Sequence, residues 1–342
     1  MHSDSAATSR QRAGDGPRSL SVVIPVLNEA GGLHALVQRL ESSLDSLGRS
    51  WEVIFVDDGS RDRTLEVLRE LHARDARFKT VAFSRNFGKE IAVAAGLRYA
   101  TGDGVVIMDG DLQHPPELIA DFIVKWDEGY DIVYAQRTDR ASESTIYKLA
   151  ARGFYSVFHF LSGTELPDGA GDFRLLDRKA VDAINRIGER ARFNKGLYAW
   201  VGFRSVGIPY EVAERKEGRS RFRPRQLLRF ALDGIASFTT IPLRVWSYLG
   251  LIIAALALVY AMFELLKTLI YGVQVPGFAP LIISLMFFAG IQLISLGVIG
   301  EYLGRVYEEV KGRPLFIVAE TIGAEEFSPR PPAGEASRSE SR

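Results

Sequence analysis

The chain has 342 residues, enough for one large domain and further material. It balances 42 basic against 42 acidic side chains, which removes the global cationic field of a general nucleic-acid binder. With no cysteine, disulfides, thiolate zinc sites, iron–sulfur clusters and a cysteine nucleophile are all excluded, and the five histidines (His2, His34, His72, His114, His159) lack metal-ligand spacing.

Residues 1–18 are polar and rich in Gly and Ser, without the apolar run of a signal peptide, and read as a disordered lead. A large domain follows over 19–224. Its strand-like runs are Leu20–Val26, Trp51–Asp57, Phe78–Ser84, Asp103–Asp109 and Tyr130–Gln136, too continuously apolar for a one-sided sheet. Between the first two, Leu33, Leu36, Val37, Leu40, Leu44 and Leu47 recur at helical steps, and Leu65, Leu68 and Leu71 do so after the second. The repeated β-α-β order predicts an α/β fold, a doubly wound and mostly parallel sheet with helices on both faces. Ligands then belong beyond the carboxyl ends of the strands.

Residues 225–244 read as interfacial helix, with Leu227, Leu228, Ala231, Ile235 and Phe238 as its apolar stripe. Val245–Phe263 and Thr268–Gly300 contain no charge, and Pro276, Gly277 and Pro280 divide the longer stretch, which predicts a two-helix transmembrane hairpin with spans at about 245–267 and 281–303. Arg225, Arg229 and Arg244 precede it and Arg305, Lys311 and Arg313 follow it, so the large domain and both termini are expected in the cytosol. Segment 305–322 carries a strand-like run, Arg313–Val318, open to pairing with a neighbouring subunit, and 323–342 reads as a disordered tail.

The loop after each strand carries the chemistry. The first strand ends in Pro25-Val26-Leu27-Asn28-Glu29, with neither the Gly-rich dinucleotide fingerprint nor a P-loop. The second ends in Asp57-Asp58-Gly59-Ser60. These carboxylates suit a nucleobase N–H or ribose hydroxyls; alternatively Asp58 or Ser60 caps the next helix. After the fourth strand, Asp109-Gly110-Asp111-Leu112-Gln113 offers hard oxygen donors for a divalent cation that keeps positions open for substrate phosphates; a Pro-started helix turn is the other reading. Eight basic residues against three acidic ones fall between Phe203 and Arg229. They serve either as a membrane-surface patch or as an acceptor site for a lipid phosphate.

In that order, these motifs resemble the glycosyltransferase family 2 (GT-A) fold. Ser84–Glu90 (SRNFGKE), Gly171–Leu175 (GDFRL), Pro242–Trp246 (PLRVW) and Gly300–Arg305 (GEYLGR) narrow the likeness to polyprenyl-phosphate (bactoprenol) glucosyltransferases, relatives of dolichol-phosphate mannose synthase, over about Leu20 to Val318. The resemblance implies that Pro25, Asn28, Glu29, Asp57 and Asp58 surround the donor nucleotide, with Asp109 beside its diphosphate. It further implies that Asp109, Asp111 and Gln113 hold Mg²⁺ or Mn²⁺, and that Asp172, Arg174 and Asp111 serve the reacting centre. Arg85, Lys89, Arg215, Ser220 and Arg221 would bind phosphate or the acceptor lipid; for Arg85 and Lys89, ordinary loop chemistry is the other reading. The family's Gly-x-Ser-Lys element is here Gly218-Arg219-Ser220-Arg221, with a fork in place of an ammonium. Gln226–Phe230 lacks the tryptophan of the Gln-x-x-Arg-Trp element of processive synthases.

The implied function is inverting transfer of a hexose, glucose foremost, from a UDP-sugar to undecaprenyl phosphate at the bacterial cytoplasmic membrane. Its partners are the lipid bilayer and a possible second copy of the chain (a homo-oligomer), not nucleic acid. Two other readings stand beside it: the same reaction with another nucleotide sugar, and a non-catalytic nucleotide-binding scaffold.

Overall fold

A computed structural model of the chain describes residues 18–111, 114–137, 170–189, 194–210 and 277–326, with the helical residues among 250–271. In β1 (Leu20–Val26), Val22, Ile24 and Val26 enter one core and Val23 the other; in β2 (Trp51–Asp57), Val53 and Phe55 face the first and Ile54 and Val56 the second. Both faces of the sheet are therefore buried, which is why these runs do not alternate with polar residues.

Helices α1 (Leu33–Asp45) and α2 (Thr64–Arg74) cover the first face. Leu33, Leu36, Leu40 and Leu44 of α1 are fully buried, each contributing about 1.5–3 kcal/mol. Strand β3 (Phe78–Phe83) is followed by α3 (Lys89–Tyr99) on the second face. The sequence KEIAVAAGLRY shows no apolar stripe, because small residues let α3 lie flat on β1: a Cβ on Gly96 would stand 2.1 Å from Val23 Cγ1. Then come β4 (Gly104–Ile107), α4 (Ile119–Asp127) on the first face, and β5 (Ile132–Arg137). Strand β6 (Ala170–Asp177), α5 (Arg178–Arg186), α6 (Asn194–Trp200) and β7 (Ser205–Tyr210) complete the domain.

The eight-stranded sheet has the order β7-β5-β6-β4-β1-β2-β3-β8. Parallel pairing joins β1 to β2 and β4, β2 to β3, and β5 to β7. Strand β6 is antiparallel to both β4 and β5, so the sheet is mixed where sequence periodicity alone suggests parallel neighbours. The GDFRL motif lies on this inserted strand, with Arg174 opposite Ile107 and Tyr134.

At the amino ends of the strands, Glu52 is buried and accepts hydrogen bonds from Ser21 Oγ (2.5 Å), Lys79 Nζ (2.6 Å) and Thr101 N (2.8 Å). Burial pushes its carboxyl up, but these donors outweigh burial and hold it below the ordinary range. Its stabilisation is therefore present above the unfolded value, near pH 4.3, and is lost as pH falls through the lower folded value. Glu52→Gln is expected to cost about 2 kcal/mol at pH 7, because Lys79 loses its counter-charge in a half-buried site. Thermal melting at pH 7 and again below pH 4 checks this: the gap between the proteins must narrow only at the acid end.

Helix α7 runs unbroken over Phe278–Val310, 33 residues or about 50 Å. Its start follows Gly277 and places Pro280 in the first turn, where a missing N–H costs nothing. It is long and apolar enough to cross a membrane over Phe287–Val310, with none of that stretch buried inside the protein. The described residues from Gly250 to Tyr271 are also helical, with Ile252, Leu256, Val259 and Phe263 exposed. The start of the first expected span and the interfacial segment 225–244 lie outside the described residues.

After α7 the chain returns to the domain. Phe316 stacks on Phe83 at 5.1 Å, Ser84 N donates to Ile317 O, and β8 (Val318–Ile322) pairs antiparallel with β3. The strand of this C-terminal run begins at Val318, later than the run Arg313–Val318 suggested, and within the chain it adds to β3 as the outermost strand of the sheet.

Candidate active site

The carboxyl ends of β1 and β2 are tied together by side chain to backbone bonds. Asn28 takes a left-handed conformation (φ 57°); its Oδ1 accepts from Arg61 N (2.8 Å) and its N–H donates to Ser60 Oγ (2.9 Å). Glu29 N donates to Thr64 Oγ1 (2.9 Å). Pro25 lies one residue inside the end of β1, beside Val56. Asp57 is buried and accepts from Ser60 N at 3.1 Å; burial pushes its carboxyl up.

The Asp58 carboxylate accepts from Phe87 N (2.6 Å) and Gly88 N (2.9 Å), fastening the loop that starts α3. It does not cap the next helix: the start of α2 is served by Asp62, which accepts from Thr64 N and Oγ1. Gly59 completes the junction: with φ 73°, a Cβ there would stand 2.5 Å from the backbone carbon of Arg85. Arg85 lies on the same loop with its guanidinium 4.1 Å over Phe87 and no ion pair among the described residues, which leaves it open to an anion.

The acid pair follows β4. Asp109 Oδ1 is 2.6 Å from Lys89 Nζ, and Asp109 N donates to His114 Nδ1 at 3.3 Å. That donation requires an unprotonated Nδ1. The buried His114 ring, stacked on Phe173 at 5.0 Å, fits it, because burial holds its pKa below the ordinary value. Asp111 is exposed, and the Glu29 carboxyl is raised first by burial and then by the negative charge of Asp111. Gln113 lies outside the described residues.

Strand β6 alternates: Phe173 enters the first core, while Asp172 and Arg174 face α3 and α6. Asp172 Oδ2 is 2.7 Å from Lys89 Nζ, and Oδ1 is 3.3 Å from Lys195 Nζ. Burial raises its carboxyl, but the two ammonium groups outweigh burial and hold it well below the carboxylate range. Lys89 is correspondingly held above the ordinary lysine value, burial being outweighed by Asp172 and Asp109. One ammonium thus bridges the carboxylates after β4 and on β6.

Arg174, on the same strand as Asp172, is 4% exposed, with its guanidinium 4.0 Å over the Tyr198 ring and an NH2 donating to Gly171 O. Arg215, Ser220 and Arg221 lie outside the described residues.

Lys195, Asn194 and Tyr198 are absent from the sequence expectations, and Glu90 enters them only as the end of the SRNFGKE motif, with no role. Asn194 fixes the start of α6, its N–H donating to Glu90 Oε2 (3.1 Å) and its Nδ2 to Glu90 O (3.0 Å). Spacing four residues apart places Asn194 and Tyr198 on one turn of helix, but nothing in the sequence pairs that turn with β6.

Among the described residues, no three His, Asp or Glu side chains converge as a metal cage. The donor chemistry nevertheless fits a hard divalent cation: Asp109 and Asp111 offer carboxylate oxygens on a partly open side, and the ammonium of Lys89 already balances Asp109 there.

Comparison with known proteins gives the lineage. The family model described as glycosyl transferase family 2 matches residues 21–184, and the GtrB C-terminal hairpin matches residues 241–306. An uncharacterized glycosyltransferase of Synechocystis is 50% identical over 306 residues, 90% of this chain and 96% of that one. The bactoprenol glucosyl transferase of Shigella phage SfII is 40% identical, covering 87% and 97%. A prophage homolog from Escherichia coli K12 is 39% identical, covering 87% and 98%. Among solved structures, the glucosyl-3-phosphoglycerate synthase of Mycobacterium tuberculosis, crystallised with Mn²⁺, UDP-glucose and phosphoglyceric acid, is 23% identical with a TM-score of 0.43, covering 64% and 78%.

Proposed function

Because the chain belongs to glycosyl transferase family 2 and carries the GtrB-type hairpin, we propose that it transfers glucose from UDP-glucose to polyprenyl phosphate at the cytosolic face of a bacterial membrane. The observation that carries this reading is Lys89, whose single ammonium holds both the acid after β4 and the acid on β6. Donor side and acceptor side thereby meet at the carboxyl ends of the parallel strands.

Asp57 and the Asn28–Glu29 loop form the nucleotide half. Mg²⁺ or Mn²⁺ on Asp109, Asp111 and Gln113 would supply charge neutralisation for the departing diphosphate. Lys89 adds a fixed positive charge beside it, and Arg85, on the loop before α3 with its guanidinium over Phe87, supplies a second cation in this reading. The acceptor is a phosphate monoester with a second pKa of about 6, so its attacking oxygen is already anionic at neutral pH. No proton has to be removed, and the depressed carboxyl of Asp172 agrees with that: it orients the lysines instead of acting as base. Attack opposite the leaving diphosphate inverts the anomeric carbon. In this reading the chain spans the membrane twice with its large domain and both termini cytosolic, a topology favoured by the basic residues Arg225, Arg229, Arg244, Arg305, Lys311 and Arg313 flanking the hairpin, and assembly into homo-oligomers accords with the glycines Gly290, Gly297, Gly300 and Gly304 on α7.

Incubation of the purified protein with radiolabelled UDP-glucose, undecaprenyl phosphate and Mg²⁺ is expected to move label into an organic-extractable lipid. Parallel reactions with UDP-N-acetylhexosamine and GDP-mannose test the sugar. No lipid-linked label with any donor would overturn the reading.

A further inference from the structure

The two ammonium groups on Asp172 are not equivalent. Lys89 touches both Asp109 (2.6 Å) and Asp172 Oδ2 (2.7 Å), which ties it to the donor side. Lys195 ion-pairs with the other oxygen of Asp172, at 3.3 Å, its charge is also felt by the Glu90 carboxyl, and its side chain is 39% exposed. Among the described residues it has no other ion pair.

Its backbone is held independently of that contact. Asn194, the preceding residue, is buried and fastened to Glu90 by two hydrogen bonds, and Tyr198, one turn on, packs under the Arg174 guanidinium at 4.0 Å. Both anchors lead to neighbours of the cleft, Glu90 beside Lys89 and Arg174 beside Asp172. Lys195 is thus a flexible cation on a fixed base, and a lysine ammonium has three donors, enough to keep Asp172 while accepting a further anion.

We propose that Lys195 positions the acceptor's phosphate: it binds one anionic oxygen of the phosphate monoester from the side of Asp172 remote from Asp109, while Lys89 stays with the donor. This rests on the function proposed above and adds a division of labour between the two lysines. Asp172 is then the shared hinge point that keeps the two cations, and hence the two phosphates, at a fixed separation, which counters the mutual repulsion of the substrates.

The test uses the full-length protein in lipid nanodiscs, with Lys195→Met, Lys195→Arg and wild type compared. For Lys195→Met, the KM for undecaprenyl phosphate should rise about 10- to 100-fold, the range of one charge-assisted hydrogen bond, while the KM for UDP-glucose stays within about twofold. Lys195→Arg should recover most of the loss, since it keeps the charge, whereas a packing role would leave both variants alike. Equilibrium binding of citronellyl phosphate in the presence of UDP reads the same contact without turnover and should weaken by a similar factor in Lys195→Met. An unchanged acceptor KM, a parallel rise in both KM values, or failure of arginine to rescue overturns the assignment. If wild type itself neither glucosylates the lipid nor binds citronellyl phosphate, the acceptor class falls first and the role of Lys195 with it.

Discussion

Replacing Asp111 by alanine is expected to lower kcat about a thousandfold, the scale on which losing one electrostatic contact to a developing charge is felt. Asp111 is exposed and lies outside both cores, so its removal opens no cavity in the core. Its charge is nonetheless felt locally, since it helps raise the Glu29 carboxyl across the cleft. Two controls separate the metal from the fold. Thermal melting of Asp111→Ala should match wild type within about 0.5 kcal/mol, and a chelator should reduce wild type toward the variant's activity while leaving the variant unmoved. Near-wild-type turnover by Asp111→Ala, in chelator or out of it, would refute the assignment of the acid pair.

The second large effect is expected at Asp172. Asp172→Asn leaves Lys89 and Lys195 without their common carboxylate, 2.7 and 3.3 Å away, and kcat/KM for the lipid acceptor should fall about a hundredfold or more. The pH profile gives the sharper result. A carboxyl held below its ordinary value is already ionised throughout the neutral range, and its stabilising contribution disappears only as pH drops through that low folded value. Asp172 therefore cannot supply an acid limb near neutrality. The limb should sit at about pH 6, where the acceptor's phosphate dianion takes up a proton and becomes the monoanion, and it should persist in the residual activity of Asp172→Asn. A limb present in wild type and missing from the variant would make Asp172 a general base after all.

Much of this was readable from residues alone. The continuous apolar runs of β1 and β2, the leucines of α1 and the acids after β4 each carry a local signature, because burial on two faces, a helical repeat and a strand-end carboxylate leave marks within a few residues. What escaped is long-range. Strand β6 inserts between β4 and β5 although more than 30 residues separate it from β5 along the chain. The partners of Asp58, the amides of Phe87 and Gly88, lie some thirty residues along the chain and carry no local signature. The stacking of Arg174 on Tyr198, 24 residues further along the chain, leaves no mark in the sequence either. Lys195 stands more than twenty residues from Asp172 and more than a hundred from Lys89, a separation at which no spacing rule applies.

The pairing of β8 with β3 bears on how the molecule is anchored. Since the polypeptide leaves the globular part ahead of the hydrophobic helices and then rejoins its outer rim, the bilayer segment is an excursion from within one fold, not an appendage at its end. Trimming the chain just past that excursion would strip the cover from a row of main-chain amides and carbonyls along β3, an invitation to self-association. It would also remove the tether at Phe83 and Ser84, immediately before the loop that delivers Lys89. The residues that bring the chain back from the apolar helices are thus the ones that brace the strand leading to Lys89.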